Sequence, residues 1–198
     1  MMTDKLNEHG RSLLFTEART ANRFLNKPID MSVLQALYDL MKWGPTSMNQ
    51  SPARITFVTT PEAKEMLKPA LAGGNVARVE SAPVIAIIGQ DLRFFDHLPT
   101  LFPSAPDAGK MFEEDEEKAA VSAFRNSTLQ GGYFILAARS VGLDCGPMSG
   151  FNNALVDQTF FADTSIKSNF ICALGYADPE QYYPRGPRLS FDQACTVR

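Results

Sequence analysis

Residues 116–142, EEKAAVSAFRNSTLQGGYFILAARSVG, decide the fold. Acidic residues open the stretch, proline is absent, and Gly142 closes it, so the pattern predicts one long helix from about Glu116 to Val141. The helix is rich in small residues: Ala119, Ala120, Ala123, Gly131, Gly132, Ala137 and Ala138. Each interior glycine costs about 1 kcal/mol relative to alanine. Close approach by another backbone or a ligand would offset that cost, which places the helix centrally or at a subunit interface.

Working outward, Asn169–Tyr176 and Pro83–Gly89 have the length and apolar continuity of buried strands, and Arg54–Thr59 is β-rich. Thr60-Pro61-Glu62 opens a helix with proline at its first position. Gly73-Gly74-Asn75 reads as a turn. Residues 91–115 contain Pro99, Pro103 and Pro106, which exclude a regular helix and suggest a loop or mobile flap. Near the start, Leu13, Leu14, Phe15 and Ala18 suggest a short helix. Ser32-Val33-Leu34-Gln35 matches a capping box, and Leu34, Leu37, Tyr38 and Met41 follow on one helical face. Gly44-Pro45 stops that helix, and the tail from Tyr182 to Arg198 reads as extended. The order helix–helix–strand–helix–strand–helix–strand favours an α+β architecture over repeated βαβ units.

A chain of 198 residues, 44% hydrophobic and 21% charged, fits one globular domain spanning 1–198. A net charge of −3 argues against a nucleic-acid partner. No stretch approaches the ~20 apolar residues of a membrane span, and Met1–Arg11 lacks a secretory signal's apolar run, so a cytoplasmic protein is expected. Cys145, Cys172 and Cys195 are widely spaced and read as reduced thiols.

Conventional side-chain catalysis finds little support. His9 and His97 are the only histidines, too few for a histidine zinc site and poorly placed for a Ser-His-Asp triad. Neither a P-loop nor a Rossmann glycine fingerprint is present. Glu113, Glu114, Glu116 and Glu117 form a solvated helix start. What stands out is the hydroxyl- and amide-rich run after Trp43: Gly44-Pro45-Thr46-Ser47-Met48-Asn49-Gln50-Ser51-Pro52. Such groups can hold a polar, planar ligand, as expected when a cofactor carries the chemistry.

The Arg19 segment, Pro45–Asn49, Gly146-Pro147-Met148-Ser149-Gly150 and the late Arg188 occur in the order found in the nitroreductase family of flavin enzymes, which nearly the whole chain resembles. Met41–Ser47, Phe124-Arg125-Asn126-Ser127, Gly146–Phe151 and Pro187-Arg188-Leu189-Ser190-Phe191 most resemble its malonic semialdehyde reductases, also called 3-hydroxypropanoate dehydrogenases of pyrimidine degradation. The resemblance implies an α+β nitroreductase-like fold: a central, mainly antiparallel mixed sheet flanked by helices, with the long helix at a homodimer interface. It also implies non-covalent FMN shared between subunits, and NADH or NADPH as hydride donor.

Residue by residue, the resemblance puts Arg19, Thr20 and Arg23 at the FMN phosphate, with Ala21 where a serine is common. It lays Pro45, Thr46, Ser47 and Asn49 against the flavin across the dimer, and Asn75 at the ring edge with Arg78 one helical turn later. Pro147, Met148, Ser149 and Gly150 face flavin N5, and Ser149 stands where many relatives carry glutamate, leaving room for an anionic substrate. Arg188 returns to the phosphate, with Arg185 as a weaker candidate. Arg125, Arg93 and Lys110 are candidate anchors for a substrate carboxylate. The implied reaction is hydride relay through flavin N5 to malonic semialdehyde. Alternatives are a broad nitro, quinone or enone reductase, and a non-catalytic flavin-binding protein.

Overall fold

The computed structural model describes residues 4–198. At its centre lies a sheet of β1 (Ala53–Val58), β2 (Val84–Asp91), β3 (Asp144–Met148) and β4 (Ile166–Gly175), in spatial order β1-β2-β4-β3. All pairings among these strands are antiparallel. The mixed character expected of the sheet is confined to one isolated parallel bridge, Thr20 to Cys145. The longer helices are α1 (Met31–Met41), α2 (Pro61–Leu67), α3 (Gly73–Ser81), α4 (Glu116–Ser140) and α5 (Asn153–Phe160).

Helices cover both faces of the sheet, which explains the unbroken apolar run at Pro83–Gly89. Alternate residues of a strand point to opposite faces. Ile85 and Ile87 therefore join Val58, Ile171 and Ala173 beneath Leu67 of α2, Val79 of α3 and Val156 of α5. Ala86 and Ile88 join Cys172 and Leu174 beneath Leu34, Leu37 and Met41 of α1 and Phe134, Ala137 and Ala138 of α4. Each fully buried isoleucine or leucine contributes roughly 1.5–3 kcal/mol.

Helix α4 runs as the sequence predicts. The Asp115 carboxylate accepts the Lys118 N–H at 2.9 Å and caps its start, and Gly142, at φ +82°, turns the chain just beyond its end. A Cβ on Gly131 would lie 2.4 Å from the Phe170 ring of β4, so a phenyl ring, rather than a backbone or ligand, makes the close approach. Gly132 faces open space.

Several expectations need correction. Helix α1 starts at Met31 after an extended Asp30, so Ser32 lies inside the helix and the capping box at 32–35 does not form. Tyr38 is 48% exposed, because Leu34, Leu37 and Met41 already fill the stripe facing the sheet. Gly73-Gly74-Asn75 opens α3, with the Asn75 N–H donating to the Ala72 carbonyl at 2.8 Å. Leu13 and Phe15 sit exposed on a π turn, Ser12–Thr16, that follows a single α-turn, Glu8–Arg11. Strand β3 and helix α5 were not foreseen. Gly146 and Pro147 disguise β3, and proline is tolerated there because β3 is an edge strand.

The expected flap at 91–115 is a chain of helical turns at Phe94–His97, Leu98–Leu101, Pro106–Gly109 and Lys110–Glu113. Pro99 and Pro106 occupy first-turn positions, where a missing N–H costs no helical bond. Phe94, Phe95, Leu98 and Phe112 pin the segment to Ala119 and Ala123 of α4. The tail is extended as expected, apart from one turn at Phe191–Ala194 capped by Ser190. Among the described residues, no helix is long and apolar enough to cross a membrane.

Candidate cofactor site

Three segments meet along β3. Residues 19–24 run beside the sheet, where Ala21 donates its N–H to the Cys145 carbonyl at 2.9 Å. Ala21 is thereby buried in the core, and Asn22 meets α3, its amide oxygen accepting from the Arg78 guanidinium. Arg23 donates to the Ala77 carbonyl at 2.8 Å. On the other side, Ala72 N–H and the Asn75 side-chain amide both donate to the Gly150 carbonyl at 2.9 Å. A Cβ on Gly146 would fall 2.7 Å from the Ala21 carbonyl oxygen and 2.8 Å from Arg78 Cδ. One on Gly150 would fall 2.9 Å from the Asn75 amide. Gly146, against backbone, therefore requires the absence of a side chain, whereas at Gly150 the Asn75 side chain would have to shift.

Arg78 is the unusual member of this cradle. Burial pushes its pKa down from the ordinary arginine value, and its Nε is enclosed with no hydrogen-bond partner. Among the described residues no carboxylate pairs with it, and Asn22 is neutral. A half-buried cation without a counter-ion, beside bare glycine backbone, fits a ligand that is anionic or electron-rich. The resemblance places Arg78 only beside Asn75 and assigns no role to Asn22. The spacing of Asn75 and Arg78, one helical turn apart in a helix rather than in a turn, was the available signal.

The other expected residues divide. Arg19 donates to the Tyr183 carbonyl and lies 5.5 Å from the centre of the Tyr182 ring. Thr20 is exposed beside it. Pro147 and Met148 belong to β3 rather than to a loop, and Met148 is buried in the core. Ser149 is exposed at the strand's end. Arg188 is not brought to Arg19; it donates to its own neighbours' carbonyls, Gly186 at 3.0 Å and Pro187 at 2.9 Å. Arg185 reaches that segment instead, donating to the Thr16 carbonyl at 2.6 Å.

Pro45, Thr46, Ser47 and Asn49 lie elsewhere, and no hydrogen bond among the described residues joins them to the cradle. Met48, Asn49 and Ser51 all adopt left-handed backbone, with φ of 52°, 51° and 42°. Such conformations cost about 1–3 kcal/mol each in non-glycine residues and persist only where neighbours enforce them. The enforcement comes from α4. Asn126 Oδ1 accepts the Ser47 N–H at 2.9 Å, and Gln130 Oε1 accepts the Ala53 N–H at 2.8 Å. Asn126 also donates to Gln50 Oε1 at 3.1 Å, and both residues are buried. Asn49 reaches outward to donate to the Leu101 carbonyl at 2.9 Å.

Two cavities flank this segment. One of about 710 Å³ is lined by Trp43, Asn49, Ser51, Phe57 and Leu101. The other, about 510 Å³, is lined by Ser47, Met48, Met111, Lys118 and Arg125. Of the three candidate carboxylate anchors, Arg93 is held by Asp96 at 2.9 Å and Lys110 by Asp107 at 2.9 Å. Among the described residues Arg125 makes neither an ion pair nor a hydrogen bond.

An α+β domain with a long central helix and a glycine-lined, cationic cradle defines a class of cofactor-binding folds. Residues 16–176 match the model of the Nitroreductase family, and the chain belongs to that family. A Cupriavidus pinatubonensis protein named as an NADH dehydrogenase/NAD(P)H nitroreductase is 59% identical over 186 residues, covering 93% of this chain and 95% of its own. Among solved structures, ydfN of Bacillus subtilis, named as a nitroreductase, superposes with a TM-score of 0.85 at 23% identity, covering 93% of this chain and 97% of its own. An Exiguobacterium sibiricum nitroreductase in complex with FMN has a TM-score of 0.80 at 17% identity, covering 99% of this chain and 100% of its own.

Proposed function

We propose that this chain is an FMN-dependent NAD(P)H oxidoreductase that acts as a homodimer. The observation that carries this reading is Arg78, a half-buried cation with no paired carboxylate among the described residues, beside Asn22, Asn75, Gly146 and Gly150. FMN bound there would supply hydride transfer between NAD(P)H and an acceptor. Arg19 and Arg23 each keep guanidinium donors beyond those used in the chain and would hold the phosphate. Arg78 would face the electron-rich ring, and Asn75 fixes the loop at Gly150.

Two features support the dimer. The polar segment 45–51 lies apart from the cradle within one chain, so a second copy would supply it. Helix α4 also exposes Val121, Phe124 and Leu129 by 49%, 55% and 45%, and Trp43 is 80% exposed. Apolar side chains left in water to this extent on one helix mark a partner surface.

For the acceptor we propose malonic semialdehyde, reduced to 3-hydroxypropanoate. Ser149 places no carboxylate near an anionic substrate, and Arg125, unpaired among the described residues, lines a cavity with Ser47 and can bind one. The name of the 59%-identical relative favours a second reading, a reductase of nitro compounds and other broad acceptors. Anaerobic reduction of the FMN-loaded protein with NADH or NADPH, followed by mixing with malonic semialdehyde, separates them. Rapid flavin reoxidation with 3-hydroxypropanoate formation supports the first. Reoxidation by quinones or nitroaromatics alone supports the second, and protein that retains no FMN refutes both.

A further inference from the structure

Asn22 meets Arg78 with a neutral amide oxygen where a carboxylate of the same shape would form an ion pair. Its neighbours Ala21 and Arg23 are fixed by backbone pairing with Cys145 and a side-chain bond to Ala77, so residue 22 has little freedom to turn away from α3. Its amide oxygen accepts from Arg78, whose Cδ is packed against the bare Cα of Gly146 and whose Nε has no partner. Val79, buried beside Arg78, anchors α3 in the core and prevents the helix from withdrawing. An aspartate at this position would form a charge-assisted pair and satisfy the guanidinium. An asparagine holds the guanidinium in place and leaves its charge undischarged.

We infer that Asn22 is a positioning residue that holds Arg78 in place while keeping its full positive charge available to the cofactor, so that the site binds reduced FMN more tightly relative to oxidised FMN. This rests on the FMN reading above. Reduction places negative charge on the ring, and a preorganised cation in a partly desolvated cradle favours the charge-bearing state. A carboxylate at position 22 would compete for that cation in both states, and its cost would fall mainly on the reduced one.

The test is the ratio of reduced to oxidised FMN affinity, read as the two-electron midpoint potential by equilibration with a reference dye. Asn22→Asp is expected to lower the ratio at least tenfold, which for a two-electron couple is about 30 mV more negative. Arg78→Gln should move it the same way, while Arg78→Lys, which keeps the charge, should restore part of it. Asn22→Ala should retain FMN with a smaller decrease, because the charge remains but its orientation is no longer held. An unchanged potential in Asn22→Asp overturns the inference. If that variant does not fold, wild-type potentials in both Asn22→Ala and Arg78→Gln overturn it instead. Wild-type protein that binds no FMN would refute the proposed function itself, a separable outcome.

Discussion

Replacing Asn126 by alanine should loosen the left-handed segment at Met48–Ser51, and the size of the effect follows from its bonds. The Asn126 side chain is 4% exposed and serves three partners: Ser47 N–H at 2.9 Å, Gln50 Oε1 at 3.1 Å and the Ser122 carbonyl at 2.9 Å. Gln50 keeps its bond from the Ser122 hydroxyl at 2.7 Å, so the principal loss is an acceptor for Ser47. Stranding a partly buried N–H costs about 1–3 kcal/mol. Relaxation of the strained backbone returns some of this, so a net loss of about 1–2 kcal/mol is expected. For a chain of this length each kcal/mol moves Tm by roughly 2–4 °C. The variant should therefore melt roughly 2–8 °C lower, and amide exchange should accelerate selectively across residues 47–53. Asn126→Asp keeps the acceptor but loses the donor to Gln50, and should fall between. An exposed change on the same helix, Glu117→Ala, serves as control. If Asn126→Ala melts with wild type and residues 47–53 keep their protection, the clamp from α4 does not hold the segment.

Two further outcomes can be measured on the unmodified chain. Cys145 and Cys172 are buried and Cys195 is exposed; the hydrogen bond between the Cys172 thiol and Cys145, then burial, pushes the Cys172 thiol up. Ellman's reagent should accordingly titrate Cys195 alone in the native protein and all three thiols in denaturant, and fast native reaction at a second thiol would contradict the buried placement. Burial first, then the Asp144 carboxylate, raises the Tyr182 phenol above its ordinary value of 10.0. Because the folded state favours the protonated phenol, its contribution is complete below pH 10 and is lost as pH rises through the folded-state value. The Tyr182 ring lies near Arg19 and its hydroxyl 3.4 Å from Asp144, so proteolysis of the tail should accelerate above pH 10 in wild type. Tyr182→Phe should flatten that rise; an unaltered profile would sink the assignment.

The parts of the fold that the sequence reveals are those where one local pattern suffices. Helix α4 carries a capping aspartate, no proline and a terminal glycine, and β2 and β4 are apolar throughout because helices cover both faces. Strand β3 escaped because Gly146 and Pro147 are there for reasons outside the strand: Gly146 makes room for Ala21 and Arg78, and an edge position tolerates Pro147. The same distinction governs the site. Amides and arginines can be picked out by type, yet the absence of a counter-ion for Arg78 exists only once Asn22, fifty-six residues earlier, is folded against it. Likewise, none of Met48, Asn49 and Ser51 is glycine, so nothing in the segment announces positive φ. Its conformation is imposed by Asn126 and Gln130, which on a helical wheel look like polar residues misplaced in the core. Buried amides on α4 are thus the legible trace of a distant strained segment: a helix that places unpaired side-chain acceptors inside the core must be holding a backbone that has no other partner.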